Sequence, residues 1–384
     1  QADGVDPSLC AQLPTSGTTL HRLLGVIPES PRFRHHADNP LPLDVVVVDE
    51  ASMIDLPMMA KLVDAIADGT RLILLGDPDQ LPSVEAGDVL SAILRASGTG
   101  EGTSAEDAQA VQGLLAPQAL LPIAEARTFA GRRVHLMRGY RQSEALDLAP
   151  LATAVREGDG GTALQLLRSG ALAGVAFHEG EADPLRGQRE HLLAHWRALA
   201  TASDPAQALH DARRLRVLTA LRDGPQGARG LNNRIEALLA GSNAGYFQGR
   251  LLLITENSYR HGLFNGDIGV CLRDGTGTML AWFAGADAGQ PRAFHPAALP
   301  AHESAFAMTV HKAQGSEFDE VWLQLPLRDN RVLSRELVYT GMTRARARLQ
   351  VAAPADVLMQ GLARHASRLS GLAWRLQQES DAPA

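Results

Sequence analysis

The sequence predicts an α/β protein of two lobes, with a small β module set into the second. Three observations carry this expectation. Residues 43–48 (LDVVVV) form a continuous apolar run of the kind buried on both faces of a parallel sheet. Leu56, Met59, Val63 and Ile66 then recur at helical spacing, and a second apolar run follows at 71–75, so strand, crossover helix and strand fit one βαβ unit. Much later, runs at 250–255 and 268–273 flank a loop ending in Asn265-Gly266-Asp267, a strong hairpin signal, and 279–283 adds a third strand.

The remaining elements fall around these. Gly69 is expected to stop the first helix. From 97 to 130 the pattern loosens into a Gly-, Ala- and Gln-rich stretch that reads as an insertion or connection. A second core resumes at 134–137 and takes in 215–220, 321–325 and 349–352 as strands. The expected organisation is a partial first lobe at 1–96, a connection at 97–130, a second lobe at 131–245 and 301–384, and a β module at 246–300.

Bulk properties exclude several classes. At 384 residues and 45% apolar content the chain is globular and too long for one ordinary domain. No apolar run approaches the roughly 20 residues that a membrane-spanning helix needs, and the opening QADGVDPSLC lacks the pattern of a signal peptide. Cys10 and Cys271 stand far apart without ligand-spaced neighbours, which excludes a disulfide scaffold or zinc knuckle and fits a reducing cytoplasm. The net charge of −7 argues against an all-over basic surface, though not against a locally basic groove. Lys61 and Lys312 are the only lysines in an arginine-rich chain.

The chemistry sits at strand ends. LDVVVVDEAS (43–52) delivers two carboxylates to the carboxyl edge of a parallel sheet, where α/β proteins bind ligands. In P-loop ATPases an Asp placed like Asp49 holds Mg²⁺, and Glu50 would orient the attacking water. The plainer alternative is an acidic strand end followed by a helix that Ser52 caps. The next strand runs into GDPDQLPSVEAG (76–87), where Gln80 offers a neutral amide suited to sensing a γ-phosphate, although Gly-Asp-Pro-Asp alone is an ordinary turn. AMTVHKAQGSEFDEVWLQL (307–325) places Thr309, His311, Lys312, Gln314 and Ser316 in one loop rich in phosphate-binding donors. ELVYTGMTRARARLQVAA (336–353) reads as a helix that carries Arg344, Arg346 and Arg348 into a closing strand, with Arg344 a candidate arginine finger.

The combination resembles a known family. Residues 43–52, 76–81, 140–141, 309–319 and 339–346 stand in the order of motifs II to VI of superfamily 1 helicases, and TLHRLLG at 19–25 resembles their upstream DNA-contacting motif. RHHADNPLPLDVVVVDEASMIDLPMM, GLFNGDIGV, AMTVHKAQGSEFD and RELVYTGMTRAR together resemble the RecD family, the alpha subunits of exodeoxyribonuclease V (RecBCD), within superfamily 1B. The resemblance implies two RecA-like P-loop NTPase lobes, the first incomplete, with an SH3-like β insertion in the second. It implies a 5′→3′ single-strand DNA translocase that binds ATP and Mg²⁺ between its lobes, works with RecB- and RecC-like subunits at double-strand DNA ends, and takes part in recombinational repair. Carried over by position, Asp49 would hold Mg²⁺, Glu50 would activate water and Gln80 would sense the γ-phosphate. Arg141, after Tyr140, and Arg344 would meet the transferred phosphoryl group. Thr19, His21, Thr309, His311 and Lys312 fall where the family contacts DNA, and 26–42 falls where relatives carry a strand-separating hairpin.

One departure matters. The family's G-x-x-x-x-G-K-[ST] loop, whose amides and Lys cradle the phosphates, has no counterpart, since no Gly-Lys pair occurs anywhere. The expectation is therefore a chain truncated at its N-terminus, inactive as an ATPase and poorly soluble, since half a parallel sheet exposes apolar surface. A non-catalytic scaffold that binds DNA or partner proteins is the competing class, and a stand-alone RecD-like helicase a third. No carboxylate–lysine cluster suggests a nuclease.

Overall fold

The computed structural model describes residues 8, 17–27, 29–83, 85, 87–98, 102–114, 121–123, 129, 132–136, 145–241, 245–285, 290–366 and 370–378. The chain divides into two compact units: residues 1–78, 82–134 and 368–384 form the first, and 79–81 with 135–367 the second. Among the described residues no helix is long and apolar enough to cross a membrane.

In the first unit, β1 (Val45–Val48) and β2 (Arg71–Leu74) pair in parallel, with Val45 opposite Arg71 and Val48 opposite Leu74. The crossover helix Leu56–Asp64 starts at Asp55, whose carboxylate accepts from the Met58 amide, and it turns Met59 and Leu62 inward. It ends at Ala65 rather than running on to Gly69, because Ile66 bridges Leu41 as extended chain. Gly69 takes a left-handed φ of 89° in the turn before β2.

β1 corrects one expectation. Val46 and Val48 are buried, but Val45 is 49% and Val47 58% exposed. Ile73 and Leu75 share this exposure, so among the described residues the β1–β2 pair has one covered face rather than two. Helices Leu56–Asp64 and Val89–Ala96 supply Met59, Leu62, Val89 and Leu90 to the core behind β1, and no described element covers the other face. The C-terminal helix Leu372–Gln378 also packs here, against Val89–Ala96, so the assignment of all of 301–384 to the second lobe fails at its end. That docking joins segments far apart in sequence, and local periodicity carries no trace of it.

The second unit's strands are, in chain order, β3 (Val175–Glu179), β4 (Leu215–Thr219), β5 (Leu251–Ile254), β6 (Ile268–Arg273), β7 (Met279–Phe283), β8 (Arg292–Phe294), β9 (His302–Ser304), β10 (Ala307–Thr309), β11 (Phe318–Gln324) and β12 (Ala345–Ala353). Five of them make a parallel sheet in the order β10-β4-β11-β12-β3. β4 is buried at every position, as a central strand covered on both faces must be. The strand expected at 134–137 is not found: Val134 and Leu136 are exposed and carry no regular structure, and Met137 lies outside the described residues. The role of an outer strand falls to β3, short and only half-buried.

The β module is an antiparallel sheet in the order β8-β7-β6-β5-β9. Its own small core holds Leu252, Ile254, Leu263, Cys271, Ala281 and Phe283. The predicted hairpin is there: Gly266 adopts φ 100°, and the Asp267 carboxylate accepts from the Phe264 amide at 2.8 Å. Burial pushes the Cys271 thiol up to about 12, which removes it as a nucleophile or ligand at neutral pH.

Helix Arg189–Leu199 carries His195, which is half-buried and feels the charge of the buried Arg216 of β4. Burial first, then the Arg216 and Arg214 charges, lowers His195 to about 4, against the weaker pull of Asp211 and Glu320. The unfolded chain takes up this proton near pH 6.5 and the folded chain only near 4, so stability is full above that window and falls as pH drops through it. Denaturant melts between pH 7 and 4 should show this loss, and His195→Phe should flatten it.

Candidate functional site

In the first unit the site begins at the carboxyl edge of the β1–β2 pair. The Leu75 amide donates to the Val48 carbonyl and the Ala51 amide to the Leu75 carbonyl, so the chain leaves β1 in a sharp turn tied to β2. Asp49 is exposed there, and one of its carboxylate oxygens accepts from the Glu50 amide at 2.9 Å. Glu50 is held at φ 54°, a left-handed conformation that costs a non-glycine residue roughly 1–2 kcal/mol. Such an outlier at the residue expected to orient water marks a turn built for position rather than for ease. Gly76 makes the turn possible, because a Cβ there would stand 2.7 Å from Leu90 Cδ2 and 3.1 Å from the Ser52 amide nitrogen. Ser52 caps no helix: its buried hydroxyl has no hydrogen-bond partner among the described residues, and Asp55 caps the helix that follows.

These residues fit the metal but not the whole nucleotide. Among the described residues no group of three or more His, Cys, Asp or Glu could enclose a metal ion. A lone exposed carboxylate suits Mg²⁺, which usually binds through one or two carboxylates plus substrate phosphates. No Gly-Lys pair occurs in the sequence to supply a phosphate cradle of the G-x-x-x-x-G-K-[ST] kind.

In the second unit, the tripeptide 79–81 is fixed by two other motifs. The Leu81 amide donates to Thr340 Oγ1 at 2.7 Å, and Gln314 Nε2 donates to the Leu81 carbonyl at 2.9 Å. Gln80, between anchored neighbours, is 7% exposed. Thr340 sits on helix Arg335–Met342, capped by Ser334, and is fully buried. Sequence reasoning did not single out Thr340; its place inside the motif-VI-like run was the available signal.

Arg344 lies between that helix and β12 rather than at an exposed helix end. It is 1% exposed, with Nε donating to the Thr340 carbonyl and a terminal nitrogen to the Ser316 carbonyl. A finger role therefore needs this side chain to exchange carbonyls for phosphate oxygens. Arg346 and Arg348 are exposed on β12 and pair with Glu317 and Glu320. Arg141 and Tyr140 lie outside the described residues.

Thr309 ends β10 and caps the short turn Val310–Ala313, its hydroxyl accepting from the Lys312 amide. Thr309, His311 and Lys312 are all half-buried, and the Lys312 ammonium is paired with Glu303 on β9. Behind them lies a clamp that sequence reasoning missed. Asn232, on the buried face of helix Ala228–Ala240, donates from Nδ2 to the Ser304 and Ala307 carbonyls at 2.8 Å each and accepts from the Ala307 amide at 2.7 Å. Buried Arg216 donates to the Ala305 carbonyl beside it. Asn232 and Arg216 together hold the junction between the β module and β10.

In the first unit Thr19 caps helix Leu20–Leu24 by accepting from the Arg22 amide, and His21 stands edge-on to Phe33 at 5.8 Å. Val26 bridges Phe33 antiparallel, closing a loop within 26–42. Lys61 lies 5.0 Å over the Phe33 ring and donates to the Pro31 carbonyl, so it braces this loop.

Residues 8–86 match the AAA domain family and 304–352 the UvrD-like helicase C-terminal domain. The chain is 38% identical over 372 residues to the RecBCD enzyme subunit RecD of Mycolicibacterium smegmatis, covering 94% of this chain and 59% of that protein. It is 36% identical to the Haemophilus influenzae RecBCD enzyme subunit RecD, covering 96% of this chain and 60% of the relative. A crystal structure of Bacteroides Pif1 bound to ssDNA aligns with 91% of the chain and 81% of its own length, at 14% identity and a TM-score of 0.45. The chain thus spans about three fifths of the length of these RecD proteins. Over the stretch that it covers, the chain is similar to the RecD subunits of RecBCD enzymes.

Proposed function

We propose that the chain forms the greater part of an ATP-driven 5′→3′ translocase on single-stranded DNA, the helicase subunit of a RecBCD-type complex. It would act with RecB- and RecC-like partners at double-strand ends, in the cytoplasm. Asp49 would hold Mg²⁺, Glu50 would orient water, Gln80 would report the γ-phosphate, and Arg141 and Arg344 would meet the phosphoryl charge. The nucleotide supplies free energy through cleavage of its terminal phosphoryl bond. Thr19, His21, Thr309, His311 and Lys312 would contact the DNA strand. The observation that carries this reading is the double tie on Leu81. It links the backbone next to Gln80 with Gln314, beside the proposed DNA contacts, and with Thr340, one turn before Arg344. A change at the phosphate sensor can thereby reach the DNA-contacting turn without a long relay.

Fluorescence anisotropy with a labelled oligothymidylate tests the reading. The chain should bind single strands in preference to blunt duplex, with affinity that falls as salt rises. His311→Ala should weaken binding about fivefold, the order of one lost polar contact. Equal affinity for duplex, or indifference to His311→Ala, would count against it.

A further inference from the structure

We propose that Glu303 is a built-in competitor of DNA for Lys312, so that a backbone phosphate must displace a carboxylate before the strand is fully held. The inference rests on the single-strand DNA reading above and adds a residue that sets its affinity. Three observations support it. The pair is partly withdrawn from water, with the Lys312 side chain 30% and the Glu303 side chain 27% exposed, so both are reachable and neither is fully screened. The backbone at both ends of the segment is fixed. Asn232 holds Ser304 and Ala307, Arg216 holds Ala305, and the Thr309 hydroxyl caps the turn that carries Lys312. Glu303 is held in turn by the pairing of β9 with β5, opposite Leu253. The ion pair therefore opens by side-chain rotation alone, with no strand moving.

The residue type is the third observation. The fixed cation sites of this unit use arginine: Arg216 on two buried carbonyls, and Arg364 on the Asn330 and Leu333 carbonyls and Asp329. At the turn beside Thr309 the cation is instead a lysine, one of only two in the sequence. A lysine ammonium is a compact point charge without a planar fork, and it exchanges one oxygen partner for another more readily than a bidentate arginine. Carboxylate and phosphate oxygens compete for it on equal chemical terms, while the Glu303 charge also repels an approaching phosphate.

The test compares the parent chain with E303Q, K312Q and the double variant, using a labelled oligothymidylate in a salt series, with thermal melts to confirm that each is folded. E303Q should bind about fivefold tighter at low salt, and its log K against log salt should steepen by about 0.7, the increment for one more phosphate neutralised on a single strand. The double variant should bind no better than K312Q, which places the gain on Lys312. Unchanged or weaker binding by E303Q overturns the inference while leaving the DNA reading intact, and so does a gain that persists without Lys312. Absence of strand binding by both parent and E303Q overturns the reading and the inference together. Should E303Q melt early, the double variant, which leaves two neutral side chains, still decides whether Glu303 acts through Lys312.

Discussion

Replacing Asn232 with leucine is expected to destabilise the second unit by about 3–5 kcal/mol, three buried backbone groups losing their partner at about 1–3 kcal/mol each with partial relaxation. Leucine is close to asparagine in size, so the loss is polar rather than a cavity effect. The Ala307 amide would lose its acceptor, and the Ser304 and Ala307 carbonyls their donor, at a position 6% exposed where water cannot easily substitute. A drop in melting temperature of roughly 10 °C is the expected readout for a unit of this size. Asn232→Asp keeps the acceptor for Ala307 while losing both donated bonds, and it also buries a charge, so it should be no milder. A loss below about 1 kcal/mol for the leucine variant would mean that the clamp is not what holds β10. The consequence for function is direct: β10 ends in Thr309, so a junction that slips misplaces Thr309, His311 and Lys312 together.

What the sequence made legible was local. The Asp49-Glu50 strand end, the Asn265-Gly266-Asp267 hairpin, β6 and β7 all declare themselves within ten residues, through alternation, apolar runs or a turn that demands glycine. The features that decide how the site works join distant segments. Leu81 meets Thr340, Gln314 meets Leu81, Lys312 meets Glu303 across a strand boundary, and the helix Leu372–Gln378 returns to Val89–Ala96. Hydrophobic periodicity reports whether a residue faces a core, not which polar group will stand opposite it. Arg344 shows the limit: its place beside a packed helix was legible, while its burial on two carbonyls was not, since an arginine at a helix end usually faces water. The one-sided burial of β1 has the same origin. LDVVVV reads as fully buried because its composition suits two covered faces, yet Val45 and Val47 stand exposed beside a covered Val46 and Val48.

ATP turnover by this chain is expected to be negligible and unchanged by Glu50→Gln, even with saturating single-stranded DNA. Asp49 is exposed at the strand end, and Glu50 sits in a strained backbone conformation, as the proposed carboxylate end of the site would have them. In the proposed reading these carboxylates would act on a phosphoryl chain that something else must hold, and in this fold class a lysine and a nest of glycine-rich amides do so. Both lysines are otherwise engaged, Lys61 with the Pro31 carbonyl and the Phe33 ring, Lys312 with Glu303. An arginine is a poor substitute, because its planar fork does not reproduce a point charge seated among backbone amides. Removal of a single preorganised donor of this kind costs about 10²–10³ in rate, so without a phosphate cradle the water-orienting role proposed for Glu50 would have nothing to act on. Coupled-enzyme assays of parent and Glu50→Gln should therefore give the same baseline. A DNA-stimulated rate in the parent that Glu50→Gln abolishes would show that residues of this chain already form the cradle, and the reading of the site would have to move from Asp49 alone to a phosphate-binding segment that the sequence does not announce.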